Sequence, residues 1–135
     1  MNCRSLAACR IFYLEDDFFI AEETRENLEH AGGFVVVCGS VPRAFEVLEQ
    51  GRFDAALLDI NIAGSTSVPV ARQLKRAGVP VLFVSAYDRD ILPTDLATCG
   101  LIRKPVTPDV VIREMVALLR SQAQNDDGTN SASRP

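Results

Sequence analysis

The sequence predicts an α/β fold, a doubly wound five-stranded parallel sheet with helices on both faces. Three observations predict it. Short β-branched or apolar runs alternate with helix-periodic stretches in a β-α rhythm repeated five times, and alternation of this kind builds a parallel sheet. The third run, Ala55-Ala56-Leu57-Leu58, is apolar without alternation, which suits a strand buried on both faces. Polar residues capable of chemistry stand just past the strand ends, at Glu15, Asp16, Asp59, Ser85 and Lys104, and open sheets bind ligands outside the carboxyl ends of their strands.

Taken in order, Arg10 to Leu14 reads as the first strand, stopping at Glu15-Asp16-Asp17. The helix that follows carries Ile20, Thr24, Leu28 and Ala31 on one face at steps of four or three, and Gly32-Gly33 ends it. Phe34 to Val37 is a β-branched second strand. Ser40 is placed to cap a second helix, whose apolar face is Ala44, Val47 and Leu48 and which ends at Gly51. After the third strand and a loop with Gly64, a third helix runs through Val70, Leu74 and Ala77 to Gly78. Pro80 to Val84 is the fourth strand and Leu101-Ile102 a short fifth. Between them the fourth helix is short or irregular. Pro93 interrupts it and Asp88, Asp90 and Asp95 dilute it, so the stretch from Tyr87 to Gly100 is expected to be mobile. The final helix starts with Thr107 as N-cap and Pro108 in its first turn and runs to about Arg120. Its Val110, Val111, Ile112, Met115, Val116, Leu118 and Leu119 cover more of the circumference than one core-facing stripe requires. Residues 1–9 are then an N-terminal extension, 10–120 the folded domain, and 121–135, polar throughout, a disordered tail.

Composition removes several classes of function. The 135 residues suffice for one compact domain. A net charge of -4 without a dense Lys/Arg cluster speaks against nucleic-acid binding. No apolar run nears the roughly 18 residues of a membrane span. Cys3, Cys9, Cys38 and Cys99 form no C-x-x-C pair and His30 is the only histidine, which argues against a zinc site. Reduced thiols and a cytoplasmic location are expected. Leu6-Ala7-Ala8-Cys9 has the form of a lipoprotein cleavage box, but the five residues before it leave no room for an apolar signal region.

Three carboxylates gathered at one strand rim repel each other, and one would hold its proton unless a cation relieved the repulsion. Mg²⁺ suits sparse carboxylate ligation completed by water and phosphate oxygens. A carboxylate can attack a phosphoryl group, and the charge that builds on the phosphoryl oxygens is stabilised by a metal ion, an ammonium and a hydroxyl donor. Each residue alone has an ordinary structural explanation as a cap, a turn residue or a solvated charge. Together, at the same end of different strands, they converge on phosphoryl transfer.

At these residues the chain resembles the receiver domain of bacterial two-component response regulators, over about residues 10 to 120, with its flavodoxin-like (βα)5 fold. The acid pair corresponds to Glu15-Asp16, the phospho-acceptor to Asp59 in Leu57-Leu58-Asp59-Ile60-Asn61, the switch hydroxyl to Ser85 and the lysine to Lys104 before Pro105. Phe83-Val84-Ser85-Ala86-Tyr87 and Leu92-Pro93 are similar to the "FAT GUY" subclass, which has a Phe-Ala-Thr-Gly-Tyr-like stretch after strand four. Members of that subclass are typically stand-alone receivers linked to histidine kinases of the HWE or HisKA2 type. Leu101 stands where most receivers have an aromatic residue, a gap the subclass shares.

The resemblance implies a single-domain regulator whose Asp59 takes a phosphoryl group from a sensor histidine kinase. Mg²⁺ would be held by Asp16, Asp59 and the backbone carbonyl of Asn61, with Glu15 acting through a metal-bound water. Lys104 and Ser85 would serve the transfer, Asn61, Ala86 and Tyr87 would modulate it, and Ser85, Leu101 and Pro105 would carry the switch. Such a protein is no general enzyme; it catalyses only its own phosphorylation and dephosphorylation. Output would pass through protein contact or by draining phosphate, with a second regulator or a homodimer formed through the final helix as partners besides the kinase. The alternatives are a pseudo-receiver that never accepts phosphate and a haloacid-dehalogenase-like phosphatase. The second wants its nucleophile on the first strand in D-x-D, whereas Asp59 follows the third and position 61 is Asn.

Overall fold

The computed structural model describes residues 6–133, with side chains through Gln122. In chain order its elements are β1 (Arg10–Leu14), α1 (Phe18–His30), β2 (Phe34–Cys38), α2 (Val41–Gln50), β3 (Ala55–Asp59), β4 (Asn61–Ile62), β5 (Ser65–Thr66), α3 (Val68–Arg76), β6 (Val81–Ser85), two 3-10 turns (Arg89–Ile91 and Thr94–Leu96), β7 (Gly100–Arg103) and α4 (Pro108–Ser133). Five strands form the parallel sheet, in the order β2-β1-β3-β6-β7. From β1 the chain winds outward to β2, then returns past β1 to β3 and on to the other edge. The direction of winding thus reverses between β1 and β3, and the crevice of such a sheet opens at the carboxyl ends of those two strands.

Alternation of side chains across the pleat builds two cores. Phe12, Leu14, Ala56, Leu58 and Phe83 meet α2, α3 and the 3-10 segment on one face. Ile11, Tyr13, Leu57, Leu82 and Val84 meet α1 and α4 on the other. Every residue of β3 and β6 is buried, the pattern expected of central strands covered on both sides.

Local chemistry sets the helix ends. Asp17 accepts from the Ile20 N–H at 3.0 Å and caps α1. At its other end Gly32 takes φ 103, and the Gly32 and Gly33 N–H groups donate to Glu29 and Leu28, the closing pattern that needs a residue without a Cβ. Ser40 caps α2 as expected, accepting from Arg43 N–H. Thr107 supplies the carbonyl that receives the Val110 and Val111 N–H groups at the start of α4.

Several expectations change. In α1 the buried residues are Ala21 and Leu28, while Ile20 is 47% exposed; the Asp17 cap starts the helix so that Ile20, in its first turn, faces the rim. Ala77 is exposed beyond the end of α3, where Val70, Ala71 and Leu74 face the core. No fourth α-helix lies between β6 and β7. The 3-10 turns replace it, pinned by the buried Leu92 and Leu96 and by the Arg72–Asp95 ion pair at 2.9 Å. The last helix continues to Ser133, through the stretch assigned to a tail after residue 120. A helix nucleated over its apolar part extends at one hydrogen bond per residue, and no proline intervenes before Pro135. The tail's last two residues lie outside those described, as does Cys3. The other three cysteines are free thiols.

The N-terminal extension is not merely appended. Leu6 is fully buried against Ile11 and Leu28 in the α1/α4 core, and its N–H donates to the Ala31 carbonyl at 3.1 Å. Gly32 permits that approach, since a Cβ there would come within 2.9 Å of Ala7 Cα.

Candidate functional site

Strand register assembles the rim. Leu14 pairs with Leu58, so the next residues, Glu15 and Asp59, leave β1 and β3 side by side. Asp59 pairs with Val84 and Ser85 with Arg103, which brings Ser85 and then Lys104 to the same edge. The Lys104 N–H donates to the Ser85 carbonyl at 2.7 Å, and the Lys104–Pro105 peptide bond is cis.

Asp59 is 7% exposed. Its Oδ2 accepts from Lys104 Nζ at 2.7 Å and its Oδ1 from the Asn61 N–H at 3.3 Å. Burial works against the Lys104 ammonium, but the neighbouring Asp59 carboxylate outweighs it and holds the lysine pKa above its ordinary value. Glu15 is buried, and its Oε2 accepts from the Asp17 N–H at 3.1 Å. Desolvation pushes its carboxyl up to about 7, and the Asp59 charge and a hydrogen bond to the Asp16 side chain push the same way. Asp16 is exposed, with Oδ2 accepting from the Ala63 N–H at 2.9 Å. Ser85 is buried, and its Oγ accepts from the Tyr87 N–H at 2.9 Å.

The remaining expected residues stand farther out. Asn61, Ala86 and Tyr87 are exposed around the rim and Pro105 is exposed below it. Leu101 is half-buried and packs on the α2/α3 core. The structure therefore brings together Glu15, Asp16, Asp59 and Lys104, with Ser85 one strand away.

Among the described residues no three His, Cys, Asp or Glu side chains close into a metal cage. The donor set nevertheless suits a hard divalent cation. The groups that would hold it are oxygens, the Asp16 and Asp59 carboxylates and the backbone carbonyl of Asn61, and such a set is too sparse for anything but partial ligation. Three carboxylates, Glu15, Asp16 and Asp59, crowd this rim, and Lys104 pairs with Asp59 at 2.7 Å. That shortage of positive charge is what Mg²⁺ would relieve. When bound, it would neutralise phosphoryl oxygens.

Two features escaped the sequence reading. One is the hairpin of β4 and β5, signalled in retrospect by Ala63-Gly64 between Ile62 and Ser65-Thr66. The other is a cavity of about 460 Å³ beside the rim, between α1 and the β7–α4 connection. Tyr13, Leu57, Val84 and Val111 line it with Ile20 and Thr24. The first turn of α1 carries Phe18 and Phe19, which are 70% and 82% exposed and packed edge to face.

Residues 11–116 match the response regulator receiver domain. The sensory transduction protein RegX3 of Mycolicibacterium smegmatis is 31% identical over 121 residues, 87% of this chain and 53% of that protein. The transcriptional regulatory protein CrdR of Helicobacter pylori is 34% identical over 106 residues, 74% of this chain and 50% of that protein. The chain thus spans about half the length of these curated relatives. Among solved structures, a CheY-like receiver domain protein from Methanospirillum hungatei superposes with a TM-score of 0.79 at 22% identity, covering 88% of this chain and 99% of that one. The response regulator PhyR from Brucella abortus gives a TM-score of 0.70 at 27% identity, covering 98% of this chain and 54% of that one. Receiver domains are signalling modules that sensor histidine kinases phosphorylate and that generally bind Mg²⁺ at the phosphorylation site. Match, fold and rim agree, and the chain belongs to the response regulator receiver domain family of two-component systems.

Proposed function

We propose that Asp59 accepts a phosphoryl group from a sensor histidine kinase in the cytoplasm. The observation that carries the reading is the Lys104 Nζ–Asp59 Oδ2 contact at 2.7 Å on a carboxylate that is 7% exposed. A nearly buried carboxylate paired to one ammonium, with two more carboxylates beside it, is poised for a phosphoryl group and a cation together.

Asp16, Asp59 and the Asn61 carbonyl hold Mg²⁺ in this reading, and Glu15 reaches it through water. Lys104 moves its charge from the free carboxylate to the phosphoryl oxygens. Ser85 supplies the hydroxyl that reports phosphorylation. Asn61, Ala86 and Tyr87, exposed at the rim, set how readily water reaches the phosphoryl group. The domain catalyses its own phosphorylation and dephosphorylation and no other turnover. The Phe83–Tyr87 stretch and the 3-10 turns in place of a fourth helix support the "FAT GUY" assignment and a kinase of HWE or HisKA2 type. Output passes by protein contact, or by draining phosphate, through the segment after Ser85, β7 and α4. Mass spectrometry after incubation with acetyl phosphate and Mg²⁺ tests the reading: one acid-labile phosphoryl mass is expected, absent in Asp59→Asn. A modified Asp59→Asn chain would refute the assignment.

A further inference from the structure

Asp16 turns its carboxylate onto the backbone of the distant β4–β5 hairpin. Its Oδ2 accepts from the Ala63 N–H at 2.9 Å, across 47 residues of chain. Ala63 occupies the tip of the β4–β5 hairpin, where Asn61 pairs with Thr66 and Ile62 with Ser65. It adopts φ 49 and Gly64 follows at φ 81. Two successive left-handed residues make the two-residue turn that matches strand twist, but the first of them here is an alanine, for which that conformation is disfavoured. Two anchors hold the hairpin in place: Ile62 is 1% exposed, and the Ser67 N–H donates to the Ile60 carbonyl at 2.8 Å. The left-handed turn aims the Ala63 N–H at Asp16.

We propose that the Ala63 N–H is a positioning donor. It occupies one Asp16 oxygen, fixes the carboxylate plane, and leaves the other oxygen for the cation. Such outer hydrogen bonds orient ligands elsewhere, and their loss typically weakens metal binding about 10–100-fold. The inference rests on the reading that Asp16 and Asp59 hold Mg²⁺. It makes the hairpin, rather than the side chain alone, part of the metal site.

The test replaces one atom. The full chain is assembled from three segments joined at Cys38 and Cys99, with Ala63 exchanged for L-lactic acid, so that an ester oxygen stands where the N–H was. Ala63→Gly is made in parallel, since it keeps the donor and removes the conformational penalty. Mg²⁺ affinity is read by calorimetry, and folding by circular dichroism and thermal melting. A folded ester chain should bind Mg²⁺ about 10–100-fold more weakly than the parent, while Ala63→Gly binds within a few-fold of it. An ester chain that melts lower but binds Mg²⁺ as the parent does would show a merely structural hydrogen bond and overturn the inference alone. A parent chain that binds no Mg²⁺ would overturn the reading of the site and this inference with it.

Discussion

Lys104 Nζ lies 2.7 Å from Asp59 Oδ2, although the strands that lead to these residues are not neighbours and β6 runs between them. Two strand spacings are about 10 Å, within reach of a lysine stem and beyond most other side chains. The pairing therefore spans the width of β6, the strand that ends in Ser85. Replacing Lys104 by alanine should leave Asp59 in place yet slow its phosphorylation by acetyl phosphate about 10²–10³-fold, the usual cost of losing one preorganised donor to developing charge. Rates near those of the parent chain would remove Lys104 from the transfer.

With Asp16 and Asp59 as its carboxylate ligands, Mg²⁺ should bind weakly, since the site has too few protein ligands for a tight cage. Asp16→Ala should abolish the Mg²⁺ heat in calorimetry and phosphorylation with it. An unchanged titration would place the ion elsewhere.

A third expectation concerns stability at the far end of the molecule. Leu6 is fully buried between α1 and β1. Leu6→Ala should cost about 2–5 kcal/mol, as buried leucine truncations do, read as a shift in the urea midpoint at unchanged slope. A loss under about 0.5 kcal/mol, the level of an ordinary surface change, would show that the extension does not hold the core.

What the sequence revealed and what it hid divide along physical lines. β3 and β6 were legible because a strand covered on both faces has no polar positions to break its apolar run, and the rim residues stood out because each lies at, or within two residues of, the carboxyl end of a strand. Ile20 was misplaced because steps of four and three run through 20-24-28 and through 21-24-28 alike; only the Asp17 cap and the docking of α1 decide between them. Leu6 was hidden because a lone leucine outside any periodic stretch carries no pattern. The Asp16–Ala63 bond is a backbone contact across 47 residues, and no side-chain type announces it.

Between β6 and β7 the chain is fastened by polar clips. Arg72 holds Asp95 at 2.9 Å, Lys75 donates to the Asp95 carbonyl, Arg89 to the Ala97 and Cys99 carbonyls, and Arg103 pairs with Asp88. These groups are exposed, and exposed pairs contribute little. Amides from Tyr87 to Thr98 should therefore exchange with solvent faster than those of β3, those beside Leu92 and Leu96 being the slowest of the segment. Arg72 holds Asp95 below its ordinary carboxylate range. The clip's contribution is thus present above that ordinary range and is lost as pH falls through the depressed value. Uniform strong protection across the segment would defeat the expectation.

Ser85 Oγ accepts from the Tyr87 N–H at 2.9 Å, so the hydroxyl proposed to report phosphorylation also holds the first turn of the clipped stretch. A hydroxyl drawn toward a phosphoryl oxygen donates its proton there and carries Tyr87 with it. Arg103, which follows Ile102 in β7, pairs with Asp88 one residue beyond Tyr87, so the displacement reaches β7 at once. Leu101, half-buried on the α2/α3 core, offers no ring to flip, and the response should be a change of order and packing. Addition of beryllofluoride with Mg²⁺ should shift amide resonances at Ala86–Asp88 and Arg103, and extend into α4 through Val106 and Val111, which line the cavity next to Lys104. Ser85→Ala should still bind beryllofluoride at Asp59 but restrict the shifts to residues 15–17 and 59–64. Shifts confined to those residues in the parent chain would rule out this route from the rim to the face formed by the segment, β7 and α4.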